Sequence, residues 1–153
     1  MKKKKQIVVV ASGYFDPIHS GHIKYLKEAK KLGDKLIIIL NNDVQAKLKK
    51  GHSFMKSKER KIILEAIKYV DKVFVSIDKD KTVVKSLKKI KPDIFANGGD
   101  KRIENIPERE VCEELEIKMV DKLTGAFLKQ SSSKILKKYV KKKGCKKCGG
   151  KNK

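Results

Sequence analysis

The residues best able to do chemistry stand close together near the start of the chain, in Gly13-Tyr14-Phe15-Asp16-Pro17-Ile18-His19-Ser20-Gly21-His22. His19 and His22 lie three residues apart with Gly21 between them. Where a loop turns into a helix, that spacing makes two imidazoles project side by side. The start of a helix adds unpaired N–H groups and a partial positive charge. Together these are the parts of an anion site, and the anion they suit is a polyphosphate.

Two elements must position that stretch. Before it, Gln6-Ile7-Val8-Val9-Val10-Ala11-Ser12 is the apolar, β-branched run expected of a strand covered on both faces. After it, Ile23, Leu26, Ala29 and Leu32 recur at helical spacing, and Gly33 supplies a helix stop.

The same alternation continues. Lys35–Leu40 reads as a second strand ending at Asn41-Asn42-Asp43, polar residues where open α/β sheets place their ligands. A basic loop is expected from Lys47 to Lys56, then a helix capped by Ser57 with Ile62, Ile63, Ala66, Ile67 and Val70 on its apolar face. Strands are expected at Lys72–Ile77, Ile94–Ala96 and Ile117–Val120, with helices at Thr82–Ile90 and Pro107–Leu115 between them. A last helix begins at Ser131. Alternating strands and helices mean parallel pairing, so the expected fold is α/β: a single-domain, Rossmann-like open parallel sheet with helices on both faces. That domain is read as residues 1–140, followed by a Lys-, Gly- and Cys-rich flexible tail, 141–153.

Composition narrows the function. The 153 residues suffice for one domain with a real core. The net charge of +22 is almost wholly lysine, with Arg60, Arg102 and Arg109 the chain's arginines. Phosphate and base recognition favours arginine's fork, and these lysines fall on the exposed face of every predicted helix, so dedicated nucleic-acid binding is not expected. No apolar run approaches the ~20 residues of a membrane span, and four lysines lead straight into a strand instead of a signal-peptide core. A cytoplasmic protein is expected. Cys112, Cys145 and Cys148 are too few, and odd in number, for a disulfide framework. Cys145-Lys146-Lys147-Cys148 is half of a zinc ribbon, and a structural zinc needs four ligands, so no metal set is read in the chain.

Residue by residue, the stretch from Gly13 to His22 resembles the nucleotidyltransferase superfamily with a His-x-Gly-His signature. It is most similar to the cytidylyltransferase-like branch, which includes glycerol-3-phosphate cytidylyltransferase, the heptose-phosphate adenylyltransferases and the archaeal FAD synthetases. The resemblance implies transfer of CMP or AMP from CTP or ATP to a small phosphorylated acceptor, with release of pyrophosphate, help from Mg²⁺ and a homodimeric enzyme. The acceptor could be a polyol phosphate, a sugar phosphate or FMN.

By that resemblance His19 and His22 contact the triphosphate, Gly21 lets the backbone approach it, and Lys49, with Lys50 second, reaches the phosphates. Gly13, Tyr14, Phe15 and Asp16 fall at nucleotide-binding positions, Tyr14 standing where many relatives have threonine. Asp16 orients the site or is a turn aspartate; Asp43 is a substrate-side acid or a cap. Asn97-Gly98-Gly99-Asp100 resembles the heptose-phosphate enzymes' Gly-Gly-Asp loop, with Asn97, Gly98 and Asp100 on the nucleotide, or is a plain turn. Ser131, Ser132 and Ser133 resemble the helix start that closes over the triphosphate. Ala126 stands where several cytidylyltransferases have arginine, a place Lys122 or Lys129 could take over. Arg60 matches a Glu-Arg pair common in the family, with a helix salt bridge as the plainer reading.

Overall fold

Strands that are apolar at every position have both faces to bury, and the sheet does bury both. In the computed structural model, which describes residues 4–98, 106–121, 123 and 132–144, five strands pair in parallel in the order β3-β2-β1-β4-β5. They are β1 (Val8–Gly13), β2 (Lys35–Leu40), β3 (Lys72–Val75), β4 (Ile94–Ala96) and β5 (Lys118–Val120). The helices are α1 (Ser20–Lys30), α2 (Asp43–Lys50), α3 (Ser57–Glu65), α4 (Val84–Ile90), α5 (Glu108–Glu114) and α6 (Ser132–Gly144).

Pleating splits the core in two. Val9, Ala11, Leu36, Ile38, Leu40, Ile94 and Ala96 point to one face, against Tyr25, Leu26 and Ala29 of α1 and Leu64 of α3. Val10, Ile37, Ile39 and Phe95 point to the other, against Leu87 of α4 and Val111 and Cys112 of α5. The register Val9↔Leu36 and Val9↔Ile94 holds this alternation across the central three strands. A one-residue slip would exchange the two faces.

The strand order reverses direction between β1 and β4, so their carboxyl ends open a crevice at a topological switch point. The histidine stretch follows β1 and Asn97-Gly98 follows β4, so both lie at that crevice.

Several expected boundaries move. The basic stretch expected as a loop from Lys47 is helical as far as Lys50, the last turn of α2, because Asn42 and Gln45 form a reciprocal capping box and Gly51, at φ +84°, closes the helix in the left-handed region; the loop runs from Gly51 to Lys56. Ser57 is the first residue of α3, not its cap; the N-cap is Lys56, which makes no side-chain cap bond. The apolar face expected for α3 is only partly used, since Ile62 and Ile63 are exposed while Arg60 and Leu64 are buried. Gly33 owes its place to packing, because a Cβ there would lie 2.7 Å from the Ile7 carbonyl oxygen and from Val9. The last helix continues to Gly144, four residues past the boundary read from the sequence. Cys145 and Cys148 lie outside the described residues.

Candidate active site

His19 is the N-cap of α1. Its Nδ1 accepts the Gly21 N–H at 3.1 Å, and Nδ1 of His22 accepts the His19 N–H at 3.1 Å. His19 thus takes the part of the N-cap serine and His22 that of the N3 glutamate, and the pair closes a capping box made of two histidines. The rings stack with centroids 3.8 Å apart, and Phe15 flanks His22 at 4.8 Å. Phe15 reaches that place through a left-handed backbone, φ 49°, and Gly13 makes room, since a Cβ there would sit 3.0 Å from the Phe15 ring.

This bonding fixes the proton. A nitrogen that accepts an N–H carries no hydrogen, so each neutral ring holds its proton on Nε2, across the ring from the helix. Burial, then the neighbouring His19 and Lys50, lower His22 to about 3; burial also lowers His19. Both imidazoles are therefore uncharged at neutral pH and present two adjacent Nε2–H donors. Two cations stand close by. Lys50 donates to the Asp16 carbonyl at 2.6 Å, and the Lys49 ammonium lies 4.4 Å from the centre of the Tyr14 ring. Lys50, which sequence reading ranked second, is the lysine whose charge is felt at His22. Burial lowers its own pKa.

The acids expected at the site are bonded to the chain itself, Asp16 buried and Asp43 part-exposed. Asp16 is fully buried, and its two carboxylate oxygens accept the Phe54 and Met55 N–H groups, each at 2.7 Å. It bonds a distant loop instead of its own backbone. Asp43 accepts the Ser57 N–H at 2.8 Å, the Ser57 hydroxyl at 3.1 Å and Nη2 of Arg60 at 3.0 Å, which joins α2 to α3.

Arg60 is the residue the sequence reading undervalued. It is 1% exposed. Its fork donates to the carbonyls of Met55 (2.9 Å), Tyr14 (2.7 Å) and Asn41 (2.8 Å) as well as to Asp43. It ties together the chain leaving β1, the chain leaving β2 and the loop after α2. Its ion pair is with Asp43, not with Glu59. The available signal was scarcity: among so many lysines, an arginine marks a place where several donors are needed in a fixed plane.

At the other wall, the Tyr25 hydroxyl donates to the Ala96 carbonyl, and its ring lies where a Gly98 Cβ would be, 2.4 Å away. Burial raises the Tyr25 pKa above the usual phenol range. Gly98 is therefore required by Tyr25, whatever else passes the loop. The Asn97 N–H pairs with the Val120 carbonyl at 2.7 Å, fixing the loop's start. The Ser132 hydroxyl donates to the Pro17 carbonyl at 2.7 Å, which brings the start of α6 onto the histidine stretch; Ser133 is the next residue of that helix. Asp100, Ser131, Lys122, Ala126 and Lys129 lie outside the described residues.

Paired imidazoles, lysines and a serine-bearing helix start at a switch point form one constellation, and the comparisons with known proteins fall in with it. Residues 10–144 match the family model described as cytidylyltransferase-like. The chain belongs to the cytidylyltransferase-like family. Among curated members, it is 36% identical over 147 residues to the FAD synthase of Thermococcus sibiricus, covering 92% of this chain and 97% of that one. It is 37% identical over 145 residues to the bifunctional protein HldE of Campylobacter jejuni subsp. doylei, covering 94% of this chain but only 30% of that longer protein. Among solved structures, the lipopolysaccharide core biosynthesis protein from Thermoplasma volcanium matches with TM-score 0.66 and 30% identity, over 76% of this chain and 96% of that one. The sheet and its loops are thus those of a cytidylyltransferase-like protein, as the His-x-Gly-His stretch implied.

Proposed function

We propose that the chain is a nucleotidyltransferase that moves AMP or CMP from ATP or CTP onto a small phosphorylated acceptor and releases pyrophosphate. The observation that carries this reading is the histidine pair held neutral, with both Nε2–H groups free of the backbone bonds made by Nδ1. An acceptor phosphate oxygen attacks the α-phosphorus, the bond to the bridging oxygen breaks, and pyrophosphate takes that oxygen's electron pair away. His19 and His22 donate to the phosphoryl oxygens on which charge gathers. Lys50, with Lys49, neutralises the phosphates as they separate; the Ser132 hydroxyl, bonded to the Pro17 carbonyl, seats the start of α6 on the histidine stretch, and Ser133 beside it offers a hydroxyl to the far end of the triphosphate. Positioning and preorganised charge do the work in such a reaction.

The names FAD synthase and HldE make FMN and a sugar phosphate the first acceptors to try, with ATP as donor. Mg²⁺ would come with the nucleotide. Among the described residues no three His, Cys, Asp or Glu side chains gather to hold a metal, and Asp16 and Asp43 already accept bonds from the protein. The family resemblance also supports a cytoplasmic homodimer, for which exposed Phe54, Ile62 and Ile63 are apolar side chains an interface would cover. Among the described residues no helix is long and apolar enough to cross a membrane.

Pyrophosphate release tests the reading, measured for ATP and CTP against FMN, a heptose phosphate and glycerol phosphate. One donor–acceptor pair should turn over, and His19→Ala should remove the activity. Release that is absent for every pair would sink it.

A further inference from the structure

Tyr14 has no explained place in the reaction above. It stands in the chain immediately before Phe15, whose ring packs on His22, and its carbonyl is held by the buried Arg60 at 2.7 Å. Its half-buried ring carries Lys49 at 4.4 Å and Lys50 at 5.9 Å from the centroid. Burial and the Glu108 carboxylate raise its pKa, so the phenol stays neutral. Both lysines come from the last turn of α2, one residue apart, where side chains diverge by roughly 100° around the helix. Lys50 is tied to the Asp16 carbonyl at 2.6 Å, and the shared ring face brings the Lys49 ammonium near it. Since the charge of Lys50 is felt at His22, the ring face keeps Lys49 close to the cation that faces the histidine pair.

We infer that Tyr14 is a positioning residue which, through its ring face, holds Lys49 next to Lys50 at the mouth of the histidine site and so preloads the charge that receives the substrate phosphates. The choice of ring suits this task. A carboxylate would pin the ammonium by a bond that an incoming phosphate must break, whereas a ring face attracts a cation without using its N–H donors for a strong hydrogen bond. Threonine, the residue many relatives carry here, has no such face, so this chain places its lysines by a different device. The inference rests on the nucleotidyltransferase reading, and its test is built so that the two can fail separately.

The full chain is taken as parent, with Tyr14→Phe, Tyr14→Leu, Lys49→Met and the Tyr14→Leu/Lys49→Met double variant. Tripolyphosphate and MgATP are titrated into each by calorimetry, and KM and kcat are measured where pyrophosphate release is found. Tyr14→Leu should bind both ligands about five- to tenfold more weakly than Tyr14→Phe, which keeps the ring, and the loss should appear in KM more than in kcat. In the Lys49→Met background the leucine substitution should add little, because ring and lysine act as one unit. NMR of reductively ¹³C-methylated lysines gives a readout that needs no substrate. One resonance assigned by Lys49→Met should show a ring-current shift that survives in Tyr14→Phe and collapses in Tyr14→Leu. If the parent binds and turns over nucleotide but the phenylalanine and leucine variants are alike, the inference is overturned and the reaction stands. A leucine effect undiminished in the Lys49→Met background would overturn it too, placing the ring against the ligand itself. If the parent neither binds nor turns over nucleotide, the functional reading falls and takes this role with it.

Discussion

The carboxyl ends of β1 and β2 carry similar raw material. One offers Asp16, His19 and His22, the other Asn41, Asn42, Asp43 and Gln45, and both open into a helix with a reciprocal capping box. The difference lies in what is left over after the box is closed. At α2, the Asn42 amide also donates to the Ser76 and Asp78 carbonyls (2.9 and 2.8 Å), and the Gln45 amide donates to the Asp80 and Thr82 carbonyls (2.7 Å each). Asn42 and Gln45 thus bind the loop after β3, and Asp43 binds Ser57 and Arg60 of α3. At α1, each imidazole closes the box with one nitrogen and keeps the other for something outside the chain. A polar strand end is a site when its side chains have a second hand free, and scaffolding when both are held.

That contrast can be broken in four ways. Replacing His19 or His22 by alanine should lower kcat by on the order of 10²–10³, the usual effect of losing a preorganised donor, while far-ultraviolet circular dichroism stays native. Arg60→Met should act on the scaffold. It strands three carbonyls and leaves Asp43 without its charge, so guanidinium unfolding should report a loss of about 3 kcal/mol. Asn42→Ala, which removes a cap and two further bonds, should cost about 1–2 kcal/mol by the same measurement yet leave kcat/KM within about twofold. The fourth effect is one of pH. His22 in the folded chain titrates near 3, against an ordinary value of 6.5. Between those values the unfolded chain binds the extra proton, so stability should be level above about pH 6.5 and fall as pH drops toward 3. Thermal melts from pH 7 to 4 should show that slope in the parent and a shallower one in His22→Gln.

The sequence made the fold legible because its apolar runs are long and its punctuation is plain: β2 and β4 end where their residues predict. The histidine stretch was legible because imidazole, glycine and a strand-to-helix junction coincide. Less could be read where one residue type serves two purposes. Lysines hide a helix end as well as a loop, so α2 went unread although Asn42, Gln45 and Gly51 mark both its termini. For Asp16, Asp43 and Gly98 the contacts within the chain were hidden, because a carboxylate or a glycine has the same appearance in a sequence whether it meets a ligand, a backbone or both. Their partners, Phe54 and Met55, Ser57 and Arg60, and Tyr25, are brought to them only by tertiary folding.

The histidine capping box also sets what the helix start can give to an anion. Two of the amides that usually cradle a phosphate, those of His19 and Gly21, are already taken by imidazole nitrogen. The pull of the helix is therefore delivered second-hand: amide polarises ring, and ring polarises its outer N–H. Fraying of the first turn and loss of the paired Nε2–H donors become one event. The exchange rate of a single amide proton, that of Gly21, is consequently a clock for how often the site comes apart.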